Sequence, residues 1–361
     1  MSTITVEIPH FTRGPLIDGR ADWRASEMGD MSRWAHVLRD AEVDILGGAM
    51  RRAQANGVAI GDLTPATFPL PGMAPLFERI LQELETGRGL FLLRGFPVDH
   101  YSKDQLRYLY DGMCRPLGVP MAQSGGGDYL GDVRNLNVDV NSPRGRAYTS
   151  KQKLTYHSDQ GDVVGLVVLR TAKEGGLSML ASALAIRNEI ARTRPDLLDV
   201  LHQPLCWSWQ EQQPPGDGPW YRAPIYAERD GHFSSFYIRT HIISAQRYAD
   251  VPRLAPEQIE AMDLMDSLAA REEFHFSTMF QPGDMQFLNN HVILHSRTAF
   301  EDHDEPDRCR HLLRIWLSVP NSRALPPARA EFFRETAGGA VRGGYTPRSS
   351  ARVYETTHAV T

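Results

Sequence analysis

The chain has 361 residues, 42% of them hydrophobic and 23% charged, with a formal net charge of −5. This is the composition of an ordinary globular protein, long enough for one large domain or two smaller ones. The acidic balance leaves no electrostatic footprint for nucleic acid, and no run approaches the roughly 18 apolar residues of a membrane span. Met1 to Glu7 lack a basic-then-apolar leader, so a cytoplasmic location is expected, with a small-molecule substrate and neither nucleic acid nor membrane as partner. Three scattered cysteines, Cys114, Cys206 and Cys309, argue against a disulfide framework or a thiolate zinc site and read as buried free thiols.

In chain order, residues 15–72 are mixed and polar, with one helix expected from Glu42 to Ala55, stopping at Asn56-Gly57. Pro75 opens a second helix with Leu76, Phe77, Ile80, Leu81 and Leu84 at helical spacing. Leu90 to Arg94 reads as a buried strand. Ser102 and Gln105 have capping-box spacing, and Leu106, Leu109, Met113 and Leu117 share a helical face behind them. A short alternating piece from Asn135 to Val140 suggests a strand, and Asn137 on it is a candidate pocket residue.

Val163 to Leu169 is too short and too β-branched for a helix, hence a strand buried on both faces. Gly175-Gly176 turns the chain into a strand from Leu177 to Leu180, and Ser182 caps a helix running to about Arg192. Leu201 to Gln210 alternates like a strand, and Ile225 to Ala227 faces Phe233 to Ile238 across Arg229-Asp230-Gly231 as a hairpin. Pro256 to Phe274 reads as an amphipathic helix. Strands are then expected at Phe274 to Phe280, Met285 to Leu288, Val292 to Leu294 and His311 to Val319. Many short strands interrupted by helices indicate a mainly β core with flanking helices.

Chemistry concentrates at Tyr156-His157-Ser158-Asp159. On an extended backbone His157 and Asp159 share a face and can reach one metal ion, with a third ligand supplied from elsewhere. Two histidines and one carboxylate leave three open positions on Fe(II), enough for a bidentate cosubstrate and dioxygen. In Asn290-His291-Val292-Ile293-Leu294-His295-Ser296-Arg297, either histidine could be the third ligand, since both lie on one face of an ideal strand. Beyond them, Arg310 and Arg314 share a face opposite Leu313, Ile315 and Leu317. A guanidinium in a closed site needs an anion, and a dicarboxylate would satisfy both.

From about Leu90 to Val319 the sequence resembles the Fe(II)/2-oxoglutarate dioxygenases of the taurine dioxygenase, 2,4-D dioxygenase and clavaminate synthase type. The resemblance rests on Phe91 to Pro97, His157-Ser158-Asp159, Glu174 to Ser178, Pro282-Gly283-Asp284, Leu294 to Arg297 and Arg310 to Leu317. It implies a double-stranded β-helix (jelly-roll) core, with His157, Asp159 and His295 as catalytic iron ligands and His291 as a structural histidine. It implies 2-oxoglutarate bound by Ser178, which stands where the family usually has threonine, with Arg310 at the distal carboxylate and Arg314 near the chelating end. The expected reaction couples O2 and decarboxylation of 2-oxoglutarate, to succinate and CO2, to oxidation of a C–H bond. Hydroxylation is favoured, because related halogenases lack the carboxylate at the Asp159 position. Tyr156, Tyr237, Arg239, Asn290 and Arg297 join Asn137 as candidate substrate residues.

The expected organisation is an N-terminal helical and irregular extension over 1–75, an oxygenase domain over 76–320 with a lid insertion around 204–275, and an irregular tail over 321–361. A homo-oligomer is compatible with the sequence. Two other readings use the same residues: a metal-dependent hydrolase, which leaves the arginine pair unexplained, and a non-catalytic β-barrel that binds an organic acid.

Overall fold

The computed structural model describes residues 16–135 and 150–354. Ala35–Val37 forms an edge strand, β1, ahead of helix α1 (Asp40–Ala55). Helix α2 (Ala74–Glu85) carries Pro75 in its first turn, where the missing N–H has no helical acceptor to lose. Strand β2 (Leu90–Arg94) leads to α3 (Lys103–Cys114), whose start is fixed reciprocally. The Ser102 N–H donates to Gln105 Oε1 at 2.9 Å, and the Gln105 N–H donates back to Ser102 Oγ. Strands β3 (Val119–Met121), β4 (Leu130–Val133) and β5 (Val163–Arg170) follow.

After the short β6 (Glu174–Gly175) comes β7 (Ser178–Ser182). Gly175 and Gly176 make that turn at φ +72 and +75, a region that non-glycine residues rarely enter. Ser182 Oγ caps α4 (Ala183–Thr193) by accepting the Ala185 N–H at 2.8 Å. Helix α5 (Pro195–Leu201), the pair β8 (Pro204–Ser208) and β9 (Trp220–Pro224), and the hairpin β10 (Tyr226–Arg229) and β11 (His232–Ser235) come next. Helices α6 (Arg239–Ala245) and α7 (Pro256–Ala269) precede the last strands: β12 (His275–Thr278), β13 (Met285–Asn289), β14 (Ile293–Arg297), β15 (Phe300–Glu301) and β16 (His311–Ser318).

A seven-stranded sheet runs β1-β2-β13-β5-β16-β3, with β4 also paired to β16. Its outer face packs on α1, α2 and α3: Phe91, Leu93, Val163, Val167, Met285, Phe287, Leu313 and Ile315 join Leu46, Ile80, Leu84, Leu106 and Leu109 in one buried cluster. Each such side chain, fully buried, contributes about 1.5–3 kcal/mol. Gly165 lets these layers close, since a Cβ there would lie 2.7 Å from the Tyr110 hydroxyl and 2.9 Å from Ile315. Alternate residues of the same strands face a three-stranded sheet, β12-β7-β14, completing the two-sheet jelly roll. Among the described residues helices make up about 29% and strands 23%, so "mainly β" describes the core and not its surroundings.

Differences from expectation have local causes. Leu201 ends α5 and β8 starts only at Pro204, because Pro195 opens a helical turn that the following alternation masks. Helix α7 ends at Ala269, short of Phe274, and Arg239 begins a helix directly after the hairpin. That hairpin turns on two residues, Asp230 and Gly231, both at positive φ. Residues 20–37 and 320–354 are integral: Trp23, Trp34, Phe332, Phe333 and Tyr345 are buried in the core between the sheets and the insert. Cys114 is buried and free, while Cys206 and Cys309 are free and half-buried. Asn137 and most of the piece around it lie outside the described residues. Among the described residues no helix is long and apolar enough to cross a membrane.

Candidate active site

The two sheets enclose a cavity lined by His157, His295, Ser178, Arg297, Arg310, Arg314 and Gln286 among the apolar Val133, Leu154, Leu166 and Leu312. Against the expectation of an extended strand carrying both residues, His157 lies outside the regular strands and forms a single antiparallel bridge to His295. The two backbones exchange both hydrogen bonds, at 3.0 and 2.8 Å, which brings the rings together with centroids 4.3 Å apart and their planes tilted by 47°. Asp159 lies beyond the bridge in a loop, and the ligand atoms of His157, Asp159 and His295 all fall within 4.8 Å of one another. These three side chains could hold one metal ion.

Their hydrogen bonds favour that use. The Nδ1 of His157 lies 2.8 Å from the Thr155 carbonyl, so it carries the proton and Nε2 is left as the donor atom. The carboxylate Oδ2 of Asp159 is buried without a hydrogen-bond partner, 3.7 Å from His295 Nε2. Burial works against the Asp159 anion, yet the nearby Arg314, His295 and His157 outweigh it and keep its pKa below the usual carboxylate value. Burial, with His157 close by, pushes His295 down to about 3, so its ring is neutral and free to coordinate.

Strand alternation puts Leu312 and Arg314 on the cavity face of β16 and Leu313, Ile315 and Leu317 in the core behind it, while Arg310, one residue before the strand, lines the same cavity. The Arg310 guanidinium leans toward the Phe300 ring at 5.2 Å, and its Nη1 is buried with no hydrogen-bond partner. Burial and the neighbouring Arg297 charge push it down to about 9, the signature of a cation awaiting an anion. Ser178 lines the same end of the cavity. Arg314 turns the other way: Nη1 donates to Asp159 Oδ1 at 3.3 Å and Nε donates to Gln123 Oε1 at 2.7 Å. Arg297 faces the cavity, donating to the Ser150, Gln152 and Thr298 carbonyls, with Nη1 unpartnered.

Several candidate substrate residues are engaged elsewhere. Arg239 donates to Asp266 at 2.7 Å and Asp263 at 2.6 Å, and the Tyr237 hydroxyl donates to Asp266 at 2.9 Å, so both tie α6 to α7 instead of facing the cavity. Tyr156 is buried beside His275 with its hydroxyl unpartnered, outside the cavity lining. Asn290 accepts the Asp159 N–H at 2.9 Å and donates to the Gly161 carbonyl at 3.0 Å, so it shapes the metal loop. His291 bonds Asp162 at 2.9 Å, away from the three-residue cluster, and is structural. Asp162 also accepts from Arg342 at 2.8 Å, and the Gly344 N–H donates to the Gln160 carbonyl at 2.6 Å. The segment read as an irregular tail therefore clamps the loop that carries Asp159. Gln123, Gln286 and Arg342 were missed, since an isolated polar residue in an apolar or irregular stretch carries no motif.

A jelly roll enclosing a His-x-Asp…His cluster beside a buried guanidinium with a free Nη1 describes the class of mononuclear non-haem metal oxygenases. Comparison with known proteins makes this specific. Residues 59–316 match the family model "Taurine catabolism dioxygenase TauD, TfdA family", and the chain belongs to that family. It is an Fe(II)- and 2-oxoglutarate-dependent dioxygenase, an oxidoreductase that oxidises a small molecule. It is 31% identical to FR-33289 synthase from Streptomyces rubellomurinus over 86% of this chain and 92% of that protein. It is 28% identical to the taurine hydroxylase-like protein SAT17 from Stachybotrys chartarum over 84% of this chain and 79% of that protein. Among solved structures, asparagine oxygenase with Fe(II), 2S,3S-3-hydroxyasparagine and succinate superposes with a TM-score of 0.60 at 16% identity, covering 79% of this chain and 93% of that one. The non-heme iron oxygenase OrfP with Fe and alpha-ketoglutaric acid gives 0.57 at 15% identity, covering 78% and 93%. At such identities these two likenesses speak for the fold.

Proposed function

We propose that His157, Asp159 and His295 bind Fe(II), that Arg310 and Ser178 hold the distal carboxylate of 2-oxoglutarate, and that the enzyme hydroxylates an aliphatic carbon of a small, carboxylate-bearing molecule. The observation that carries this reading is a pair of buried atoms without hydrogen-bond partners: the Asp159 Oδ2, beside the cavity-lining His295 and Arg314, and the Nη1 of Arg310 in the cavity wall. The first suits a cation and the second an anion. When bound, Fe(II) with 2-oxoglutarate and O2 supplies the oxidation of the C–H bond, with succinate and CO2 released.

The chain's own residues position and shield. The Thr155 carbonyl and the His295 backbone orient His157, while Asn290 holds the Asp159 loop. Gln123 steadies Arg314 against Asp159. Val133, Leu154, Leu166 and Leu312 keep the cavity apolar, so that charged groups inside it interact strongly. Arg297, facing the same space, suits a substrate carboxylate. Asparagine oxygenase and OrfP are named with hydroxylated amino acids, which makes amino acids and their relatives the first substrates to try. The insert over 204–275 reaches the metal loop through Tyr237 and Ser158, whose backbone groups meet at 2.9 Å, and is read as its lid.

Anaerobic protein with Fe(II) and 2-oxoglutarate should develop a visible metal-to-ligand charge-transfer band, absent in Asp159→Ala, and aerobic amino-acid screens should yield succinate. Absence of the band in the unmodified protein, together with no succinate from any substrate, rejects the assignment.

A further inference from the structure

Phe300 of β15 meets two cations of the cavity wall. Its ring centroid lies 4.5 Å from the guanidinium carbon of Arg297 and 5.2 Å from that of Arg310. Both arginines are buried, and the Nη1 of each has no hydrogen-bond partner. The two differ in how they are held. Arg297 donates to three backbone carbonyls, whereas no side-chain hydrogen bond is found for Arg310 among the described residues. For Arg310 the aromatic ring stands in place of such bonds.

The ring is itself anchored. The Phe300 N–H donates to the Lys151 carbonyl at 3.1 Å, and its backbone pairs with Gly175 across β6 and β15. Gly176 lets the turn close on both side chains, since a Cβ there would lie 3.4 Å from Arg310 Nε and 3.6 Å from Phe300 Cβ. Two residues beyond the ring, Asp302 accepts the Arg310 backbone N–H at 2.8 Å, so the segment that carries Phe300 also holds the chain entering β16.

Two like charges in a mostly apolar wall repel, and an arginine side chain without partners has much rotamer freedom to lose. The negative face of an aromatic ring attracts a cation without neutralising it, which leaves the charge available to a ligand. We propose that Phe300 is a positioning residue for the cosubstrate: its ring holds the Arg310 guanidinium at the cavity wall, beside Arg297, in the orientation that receives the distal carboxylate. The proposal rests on the reading of Arg310 given above. Phe300 is absent from the cavity lining, so it acts through Arg310, ordering that side chain before the anion arrives and removing this cost from binding.

The test is the dissociation constant of 2-oxoglutarate, read anaerobically from the charge-transfer band of the Fe(II)-loaded protein, in Phe300→Leu, Phe300→Tyr, Arg310→Leu and the Phe300→Leu/Arg310→Leu double variant. Ordering one long side chain predicts binding about three- to tenfold weaker in Phe300→Leu, with Fe(II) affinity unchanged. Phe300→Tyr, which keeps the ring, should stay within about twofold of the unmodified protein. In the Arg310→Leu background, Phe300→Leu should weaken binding no further. Phe300→Met, closer to phenylalanine in volume but without a ring, replaces the leucine variant should that one not fold. An unchanged constant in the ringless variant overturns the proposal, and so does an equal loss with and without Arg310, which would make Phe300 a packing residue. If the unmodified protein itself does not bind 2-oxoglutarate, the reading of the cavity fails and the proposal with it.

Discussion

The side chain of Asn290 accepts the backbone N–H of Asp159 at 2.9 Å and donates to the carbonyl of Gly161 at 3.0 Å, two bonds that bracket the loop on either side of Gln160. The loop's geometry is thus written into a residue far away in sequence, five positions before His295. Asn290→Ala leaves a buried N–H and a buried carbonyl without partners, and groups that orient a ligand typically change metal affinity by about 10–100-fold. Titration of Fe(II) into the metal-free variant should show a loss of that order, with 2-oxoglutarate binding near normal once iron saturates. Unaltered Fe(II) affinity would mean that the loop holds its shape alone.

Arg310 is expected to act on the cosubstrate alone. Replacing it with leucine removes charge-assisted bonds of about 1.5–3 kcal/mol, hence a rise of roughly 10–150-fold in the KM for 2-oxoglutarate. kcat at saturation should fall little, and Arg310→Lys should recover part of the affinity without the paired geometry of the fork. Steady-state kinetics with 2-oxoglutarate as the varied component decide it. A loss confined to kcat would contradict this role.

Arg239 makes the opposite case. Its two carboxylate partners are Asp263 and Asp266, and it is partly solvated, so the pairs are worth about 0.2–1 kcal/mol each. Arg239→Leu should lower the thermal midpoint slightly and leave the KM values for substrate and 2-oxoglutarate within about twofold. A large, selective rise in substrate KM would return Arg239 to the pocket.

The buried Asp162–Arg342 pair is a larger stake. Arg342 is 2% exposed and Asp162 1%, and removing one member of such a pair costs about 3–5 kcal/mol. Urea unfolding of Arg342→Leu should show a loss in that range, and Arg342→Lys a smaller one. An unshifted midpoint would show that His291 and Ser318 suffice to hold Asp162.

Acid should act through His291. Burial, outweighing the bond to Asp162, lowers its pKa from 6.5 to about 4, so the folded chain keeps the ring neutral where the unfolded chain protonates it. Between those values the unfolded state binds more protons, and stability falls as pH drops through the window from 6.5 to 4. His291→Gln, which still donates to Asp162, should flatten the slope of thermal midpoint against pH there. An equal slope in both proteins would assign the acid sensitivity to other groups.

Much of the cavity was legible because strands announce their faces. Alternation alone put Arg310 and Arg314 together and Leu313, Ile315 and Leu317 behind them, and the Val-Ile-Leu run before His295 marked a strand. Choosing His295 over His291 needed the family pattern, since periodicity gave both histidines the same face. The placement of Asp159 was less predictable: the chain leaves its extended path after one bridge, and Asn290, not strand geometry, sets the carboxylate. Gln286 and Gln123 are single polar residues whose meaning appears only when strands distant in sequence are side by side. Arg342 was hidden for another reason. Its segment is held by side chains bonding to backbone carbonyls and to Asp162, and such contacts leave no periodic trace.

The same clamp has a consequence for how the protein is made. Asp162 precedes its partner Arg342 by 180 residues, so at about 5–20 residues per second the ribosome delivers the arginine roughly ten to forty seconds later. For that interval the nascent loop has His157 and Asp159 but neither His295, for most of the time, nor the arginine that braces it. The loop that carries Asp159 is therefore braced only after the C-terminal segment has been made and closes over Gln160.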